Sequence, residues 1–425
     1  MAPATLPAGR VLLALPVFLV VLAGCGQHEA LVPPPTVARP LALAADQEAA
    51  TAVFLERHWA RPLAAQGPLP ESFSPLEASL AASACGSCHA DQYRDWQTAL
   101  HAHAMGPGLL GQLLEMDAAG GEQHQDCIRC HAPLAEQADD LAAALAASES
   151  PSPARHSEGV VCAACHVRAH ERSGPPRRDR SAPDAAQNAA LPHAGFTATP
   201  AFEDARFCSA CHQFQPDEYA VNGKLLENTY EEWRASRHAR EGRTCQSCHM
   251  PERRHLWRGI HDPEMVRSGV EFSVEGGDEL VGGLIRAALV VRNSGTGHYF
   301  PTYVTPRLIA EIEQLDSAGR SLPATRVEQL IQRQLPLDLG REIADTRLPP
   351  DGEMRLAYQR PRQRGAVALV FRLRVEPDEF YARFYRALLA DEQLQKGRRL
   401  IVAALKQAES SAFVAFEERR ELPEK

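Results

Sequence analysis

The sequence has no excess of positive charge. Its 45 Lys and Arg residues face 54 Asp and Glu residues, which gives a formal net charge of -9. No stretch interleaves a basic patch with aromatic residues, the pattern that nucleic-acid binding requires. We therefore expect no nucleic-acid partner.

The chain also lacks an apolar run long enough to cross a bilayer, which takes about 20 residues. Its longest run, VLLALPVFLVVLA, has thirteen residues and follows Arg10, as in a signal peptide. The end of this run overlaps LAGC, a lipobox that finishes at Cys25. We predict a lipoprotein signal peptide over residues 1–24 and lipidation of Cys25. The residue after Cys25 is Gly26 and not Asp. The resemblance to bacterial lipoproteins therefore implies sorting to the outer membrane. The alternatives are an uncleaved anchor and an ordinary signal peptide with a coincidental cysteine.

Cysteine is absent outside one repeated pattern and the lipobox. Ten of the 11 cysteines fall into five CxxCH units. The units are Cys85-Cys88-His89, Cys127-Cys130-His131, Cys162-Cys165-His166, Cys208-Cys211-His212 and Cys245-Cys248-His249. CxxCH is the attachment signature of c-type haem. Each thiol adds to a haem vinyl group, and the adjacent histidine becomes the proximal ligand of the iron. We predict five covalently bound c-type haems.

Zinc knuckles or disulfides are the alternative reading of these cysteines. A structural zinc site needs four ligands and does not require a histidine directly after each cysteine pair. A histidine directly after each of the five cysteine pairs therefore favours haem over zinc. Haem attachment of this type requires export, which agrees with the signal peptide.

The chain divides by composition into a cysteine-rich part and a part without cysteine. We predict a multidomain α+β fold in which a mainly helical or irregular multihaem domain precedes a β-sandwich-like domain and C-terminal helices. The second part contains runs such as AVALVFRLRV, which are typical of short strands. From Pro377 the pattern becomes helical, and we expect the last helix to pack against the protein rather than bind a partner. The predicted boundaries are a lipidated tether at 25–48, a pentahaem domain at 49–264, a β-sandwich at 265–376 and a helical segment at 377–425.

Histidines outside the CxxCH units could supply the second axial ligand of each iron. There are twelve of them: His28, His58, His101, His103, His124, His156, His170, His193, His238, His255, His261 and His298. Five irons need at most five of these, and Met105 and Met250 are weaker candidates. We select His101, His170, His238, His261 and His298. His255 is close to His261 in HLWRGIH and competes with it, whereas we expect His103 at the surface and His28 solvated in the tether.

Two of the selected histidines, His101 and His238, lie in a repeated motif, Y-x2-W-x4-H-A, at residues 93–102 and 230–239. If the chain is helical from His89 to His101, these residues lie about 18 Å apart along the axis. Two ligands of one iron must converge, so His101 is expected to ligate a neighbouring haem. His170, four residues after His166, is expected on the same helix face and therefore on the wrong side of that iron.

Residues 85–212 resemble the tetrahaem cytochrome c-554 family. The similarity lies in CGSCHADQYRDWQTALHAHAM, DCIRCH, EGVVCAACH and FCSACH, taken in this order. The resemblance implies a largely helical fold with stacked haem pairs and a role in electron transfer. It also implies that His170 completes the first haem, that His101 completes another, and that one iron can keep an open position. The fifth CxxCH, the lipobox and the β-domain depart from the family pattern.

Two function classes follow. Irons closed by two histidines favour a non-catalytic electron carrier. In such a protein the axial ligands and the burial of each haem tune its reduction potential. The alternative is a redox enzyme acting on a small nitrogen or sulfur oxyanion at an open iron. We expect redox protein partners, either other cytochromes or quinol-linked donors, and membrane contact by the lipid anchor. The expected location is the outer membrane, on its periplasmic or cell-surface side.

Overall fold

The computed structural model describes residues 41–116, 121–146, 155–181 and 184–423. Cys25, the lipobox and His28 lie outside these residues. The chain divides into two compact units, Met1–Gln47 and Glu48–Lys425, and the second contains every site considered below. Within the described residues, no helix combines the length and the apolar character needed to cross a membrane.

The part that carries the CxxCH units is built from short helices joined by loops. Its α-helices α1–α14 are Leu41–His58, Pro75–Ala78, Ala82–Gly86, Ala90–Gln97, Pro107–Glu115, Gly121–His131, Ala135–Ala146, Cys162–His166, Ala185–Ala189, Arg206–Ser209, Thr229–Arg234, Arg237–Arg240, Cys245–His249 and Pro263–Gly269. Single turns of 3-10 helix lie at Leu100–His103, Arg155–Glu158, Pro192–Ala194, Pro200–Glu203 and Pro251–Arg253. Five strands of two to four residues, β1–β5, are Val167–Arg168, Glu171–Gly174, Thr197–Ala198, Ala220–Val221 and Lys224–Leu225.

Local sequence explains where several of these helices begin. Ser74 forms a capping box with Glu77, and the side chains of Ser236 and Asp262 accept hydrogen bonds from backbone N–H groups three residues on. Such caps satisfy N–H groups that lack a partner within the helix. Proline follows both Ser74 and Asp262, a position where its missing N–H costs nothing. Short capped helices let the chain turn often around the CxxCH units.

The remaining strands and helices form the C-terminal part. Strands β6–β14 are Glu271–Val281, Leu284–Arg292, Arg307–Asp316, Val327–Ile331, Arg333–Gln334, Ala344–Asp345, Glu353–Pro361, Ala366–Glu376 and Phe413–Glu421. Helices α15 and α16 are Glu379–Ala390 and Arg398–Ser410, and one further 3-10 turn lies at Pro323–Thr325. The helical part followed by a strand-rich part confirms the predicted α+β class.

Two antiparallel sheets form a sandwich in this part. One has the strand order β12-β7-β6 and the other β14-β13-β8-β9. Buried apolar side chains from both sheets form one core, which includes Leu289 of β7, Ile312 of β8 and Phe371 of β13. Phe272 of β6 stacks on Phe416 of β14 with ring centres 4.5 Å apart, so the two sheets also meet at these outer strands. This is the core that alternating apolar residues on facing strands produce.

The C-terminal segment is not wholly helical, so the predicted helical boundary at 377–425 is wrong in its last part. Residues Phe413–Glu421 form strand β14, which pairs with β13 in a register that places Phe416 opposite Leu373. The segment FVAFEERRE changes exposure with a period close to two, with Ala415 buried between exposed Val414 and Glu417. That period belongs to a strand rather than a helix. The sandwich therefore continues past residue 376 and takes its edge strand from the end of the chain.

Helices α15 and α16 pack back onto the haem-bearing part, as expected for a packed rather than a partner-binding helix. Ile401 of α16 is buried, and a side chain at Gly111 of α5 would meet it. A side chain at Gly397 would collide with the backbone of Gly111. The Glu115 carboxylate accepts a hydrogen bond from the Gly397 N–H at 2.6 Å. The C-terminal helices thus fix α5 against the strand-rich part.

Candidate haem sites

All five CxxCH units adopt a single helical turn. The units at Cys162–His166 and Cys245–His249 are helices α8 and α13 in full, and α6 ends at His131. In the other two, the histidine N–H donates to the carbonyl of the first cysteine, at 2.9 Å for His89 and 3.0 Å for His212. Residues three and four apart lie on one helix face, so both thiols and the imidazole face the same way. This is the arrangement that a covalently attached haem requires, and we number the sites 1–5 in chain order.

Thiols of different sites contact each other, so the sites are neighbours. A thiol of site 1 hydrogen-bonds to a thiol of site 3, and such bonds also join site 2 to site 4 and site 4 to site 5. These contacts join Cys85 to Cys162, Cys130 to Cys211 and Cys208 to Cys245. Cys165 of site 3 also interacts electrostatically with both cysteines of site 4. Site 4 therefore borders sites 2, 3 and 5, and site 1 joins the array through site 3.

Three proximal histidines face a second histidine ring. Ring centres are 6.2 Å apart for His166 and His255, 6.3 Å for His212 and His101, and 6.3 Å for His249 and His298. A metal–imidazole bond is about 2 Å long and a ring nitrogen lies about 1 Å from its ring centre, so two imidazoles on opposite sides of one metal have centres about 6 Å apart. The three spacings match this separation. The side chains therefore fit bis-histidine iron at sites 3, 4 and 5.

The rings in these pairs are in the protonation state that metal binding needs. Burial lowers the pKa of His101 to about 3 and the pKa values of His212 and His255 to about 4. The neutral imidazole is the metal-binding form. The surroundings therefore favour ligation over protonation at neutral pH.

Second hydrogen bonds orient most of the proximal rings. The Nδ1 atoms of His131, His166 and His249 bond to backbone carbonyl oxygens, and that of His212 bonds to the Tyr303 hydroxyl. A ligating histidine commonly donates its other ring N–H in this way, which leaves Nε2 for the metal. Distal His255 and His298 follow the same rule, because their Nδ1 atoms bond to the carbonyls of Arg253 and Tyr299.

The route to His101 differs from the predicted continuous helix. Helix α4 ends at Gln97, and His101 lies on the separate 3-10 turn Leu100–His103. The Trp96 indole donates to the Val160 carbonyl at 2.8 Å, and the Val160 N–H donates to the His101 carbonyl at 2.8 Å. These bonds direct His101 away from site 1 and towards His212. The conclusion that His101 serves another haem than that of His89 thus agrees with the geometry, although the helix assumed for it is broken.

The Y-x2-W-x4-H repeat is also a structural repeat. In the second copy the Trp233 indole donates to the Arg243 carbonyl at 2.8 Å, and the Arg243 N–H donates to the His238 carbonyl at 2.9 Å. Val160 and Arg243 each lie two residues before a CxxCH unit. The motif therefore ties a histidine turn to the start of the unit beside it. His238 is 4% exposed, and its Nε2 has no partner among the described residues.

Three of the selected histidines do not face a proximal ring in the described structure. His170 bonds through Nε2 to the Gly67 carbonyl at 3.1 Å, and His261 bonds through Nε2 to Asp378 at 2.9 Å. His238 lies near His298 without facing a proximal histidine. In HLWRGIH, the geometry favours His255 over His261. His103 is exposed and bonds to the Gln97 carbonyl, in keeping with the expected surface position.

Within the described ranges, no histidine ring faces His89 or His131 at the spacing of the three pairs. Carboxylates hold two further histidines. His156 bonds through Nδ1 to Asp140 at 2.7 Å, and the backbone N–H of His193 bonds to Glu77. Glu158, two residues after His156, accepts from the N–H of Ala82 in the site 1 helix. His156 is not among the five selected histidines, and its partner Asp140 lies sixteen residues away in the chain.

A zinc interpretation has no support in the described part of the chain. No three His, Cys, Asp or Glu side chains converge there in a way that could hold a metal ion directly. Thiols meet only in pairs between neighbouring helical turns. Paired thiols beside paired imidazoles match haem attachment and not a four-ligand zinc site.

Comparison with known proteins agrees with this arrangement. Residues 84–167 match the family described as cytochrome c554 and c-prime. The crystal structure of a penta-haem cytochrome c552 from Thermochromatium tepidum is similar in fold, with a TM-score of 0.54 and 18% sequence identity. The similarity covers 82% of this chain and 100% of that chain. No curated protein sequence matches the chain.

The fold and the repeated attachment turns define the class, a multihaem c-type cytochrome that transfers electrons. Within that class, residues 84–167 match the cytochrome c554 and c-prime family, in agreement with the resemblance seen in the sequence. This match supports covalently bound c-type haem and exchange of electrons with redox partners.

Proposed function

We propose that the protein is an outer-membrane-anchored electron carrier that holds five c-type haems in a branched array. The observation that carries the proposal is the set of three histidine pairs with ring centres 6.2–6.3 Å apart. The ligand pairs proposed are His166 with His255, His212 with His101, and His249 with His298. Each bound haem supplies a one-electron carrier whose iron is closed to substrate where two histidines hold it.

Contacts among the thiols support a branched order. Site 4 borders three other sites, and site 1 connects to it through site 3. Cys88 of site 1 and Cys248 of site 5 are exposed, whereas the other CxxCH cysteines are partly buried. Haems at sites 1 and 5 therefore have edges near solvent, where redox partners can dock. The proposed partners are other cytochromes or quinol-linked donors.

The lipobox supports the proposed location. Lipidation of Cys25 would hold the carrier on the outer membrane, facing the periplasm or the cell surface. In this case Cys25→Ser gives soluble or uncleaved protein, and the wild type fractionates with membranes. A membrane-bound product from the variant that still carries the lipid mass shift would contradict the proposed anchor.

Haem count and ligand exchange test the carrier function together. Fully matured protein should retain five haems per chain after acid-acetone extraction, measured as pyridine haemochrome against protein mass. A ratio of four or fewer would refute the pentahaem proposal. Reduced wild type should bind carbon monoxide at no more than the two sites that lack a facing histidine ring.

The second candidate function is a redox enzyme for a small nitrogen or sulfur oxyanion. The observation that favours it is the absence, among described residues, of a ring facing His89 or His131. An open iron at site 1 or site 2 should bind carbon monoxide or nitric oxide when reduced. One equivalent or more per chain, together with turnover of the oxyanion, would favour the enzyme. Complete lack of binding would leave the carrier as the function.

A further inference from the structure

His212 differs from the other oriented proximal histidines in the group that accepts its Nδ1–H. The Nδ1 atoms of the others lie 2.7–2.8 Å from backbone carbonyl oxygens, those of Ala104, Ser173 and Arg258. The Nδ1 of His212 lies 2.9 Å from the hydroxyl of Tyr303. A ligating imidazole carries its proton on Nδ1, so the phenol oxygen accepts this hydrogen bond.

Tyr303 reaches His212 from the strand-rich part of the chain, in the segment between β7 and β8. A hydrogen bond joins its phenol to the Thr229 hydroxyl. The Thr229 hydroxyl in turn lies 2.7 Å from a Glu227 carboxyl oxygen and 2.8 Å from the Thr302 hydroxyl. Since the phenol oxygen already accepts from His212, its own proton is directed to Thr229. The phenol is thus held in one orientation by residues on both sides.

The acceptor affects how strongly the histidine donates electrons to iron. A stronger acceptor pulls on the Nδ1–H, raises the basicity of the ring and favours ferric iron. The oxygen of a neutral phenol is a weaker acceptor than an amide carbonyl. An unperturbed phenol has a pKa of about 10, so the Tyr303 hydroxyl is neutral at physiological pH. The iron of His212 therefore receives less electron density than the irons whose histidines donate to carbonyls.

We propose that Tyr303 is a positioning residue that sets the reduction potential of the haem at site 4 above those of haems whose histidines donate to carbonyls, because its hydroxyl accepts the Nδ1–H of His212 more weakly than a carbonyl would. This inference rests on the proposed function, since it assumes haem at site 4. Site 4 is the junction of the array, next to sites 2, 3 and 5. A raised potential there makes the junction the place where electrons collect before they leave along a branch.

Tyr303→Phe tests the inference because it removes one oxygen and keeps the ring. The expected result is unchanged haem content and an unchanged low-spin spectrum, with one midpoint potential shifted upward in an optical redox titration. The shift is upward because the Nδ1–H then has no acceptor at all. Tyr358→Phe is the matched control, since its hydroxyl lies 2.9 Å from the Gln314 amide in the core of the sandwich and its loss should leave every potential in place.

The affected haem can be identified in a His101→Ala background. Removal of His101 should make the site 4 haem high-spin, so its signal separates from the others in electron paramagnetic resonance. Adding Tyr303→Phe should then move the potential of the high-spin haem. A shift in a low-spin haem, a shift in all haems, or no shift would overturn the role of Tyr303. A haem count below five, by contrast, would refute the pentahaem proposal. The effect of Tyr303→Phe on the potential of the site 4 haem could still be measured in that case.

Discussion

Replacement of His255 by alanine separates two histidines that the sequence cannot rank. The ring of His255 is centred 6.2 Å from that of His166, a spacing that suits an iron between them. His261, six residues later, bonds to Asp378 instead. If His255 is the distal ligand at site 3, His255→Ala removes one axial nitrogen from one haem and leaves His166 held by the Ser173 carbonyl.

The expected magnitude follows from the geometry and the haem count. One haem in five should become high-spin, and reduced protein should bind one more equivalent of carbon monoxide per chain than wild type. Haem content should not change, because His255 belongs to no CxxCH unit. Visible and near-infrared spectra with a carbon monoxide titration measure both quantities on purified protein.

His261→Ala is the matched control in the same segment. It should break the contact with Asp378 and leave the spin state and the carbon monoxide stoichiometry at wild-type values. The reasoning is refuted if His255→Ala stays fully low-spin while His261→Ala gains the new site. It is also refuted if both variants keep all haems low-spin, since the 6.2 Å spacing would then reflect packing alone.

Two other changes give clear outcomes. His101→Ala should convert the haem at site 4, and not that at site 1, to high-spin. His103→Ala, at an exposed position, should leave the spectrum unchanged. If His101→Ala remains fully low-spin, His101 is a packing residue and not a ligand. Gly397→Ala should lower the free energy of unfolding by about 1–3 kcal/mol because its methyl group collides with the backbone of Gly111. Gly259→Ala, with open space around the position, is the control in thermal unfolding, and equal stability of the two variants would contradict the close packing of α5 on α16.

The parts of the site that follow local rules could be predicted from the sequence. CxxCH fixes both thiols and the proximal histidine within one helical turn, so the positions of these groups depend on neighbouring residues only. The assignment of His101 to another haem than that of His89 rested on a continuous helix that would hold the two histidines about 18 Å apart. The structure breaks that helix at Gln97, and the bonds from Trp96 to Val160 and from Val160 to His101, which the sequence does not reveal, direct His101 towards His212 instead.

The proposed distal ligands at sites 3 and 5 depend on contacts far apart in the chain. His255 faces His166 across 89 positions, so spacing could not rank it above His261, and His298, which was selected, faces His249 across 49. A partner for His261, Asp378, lies in the other part of the chain. Tertiary contacts decide which imidazole is free for iron, and a single sequence does not contain them.

The end of the chain shows the same limit for secondary structure. The helical pattern of α16 runs directly into FVAFEERRE with only Ser411 and Ala412 between them. Alternation over nine residues indicates a strand, but mixed charges and two phenylalanines also suit an amphipathic helix. The unpaired edge of β13 decides between them by offering hydrogen bonds to the last strand.

Glu227 connects the site to the pH dependence of stability. Burial raises the pKa of its carboxyl group from 4.5 to about 8. Between these values the folded state holds a proton that the unfolded state has lost, so stability falls as pH rises, by up to about 1.4 kcal/mol per pH unit. Glu227→Gln keeps an oxygen to accept from Thr229 but cannot ionise. The midpoint of unfolding in guanidinium should therefore be higher for the variant than for wild type, by a small amount at pH 5, by more at pH 7, and by a constant amount above about pH 9. Glu409→Gln, at an exposed ion pair with Arg386, is the matched control and should show no such trend. A constant difference between Glu227→Gln and wild type across this range would show that the carboxyl group is already ionised in the folded protein, and the inferred burial of Glu227 beside Thr229 would be wrong.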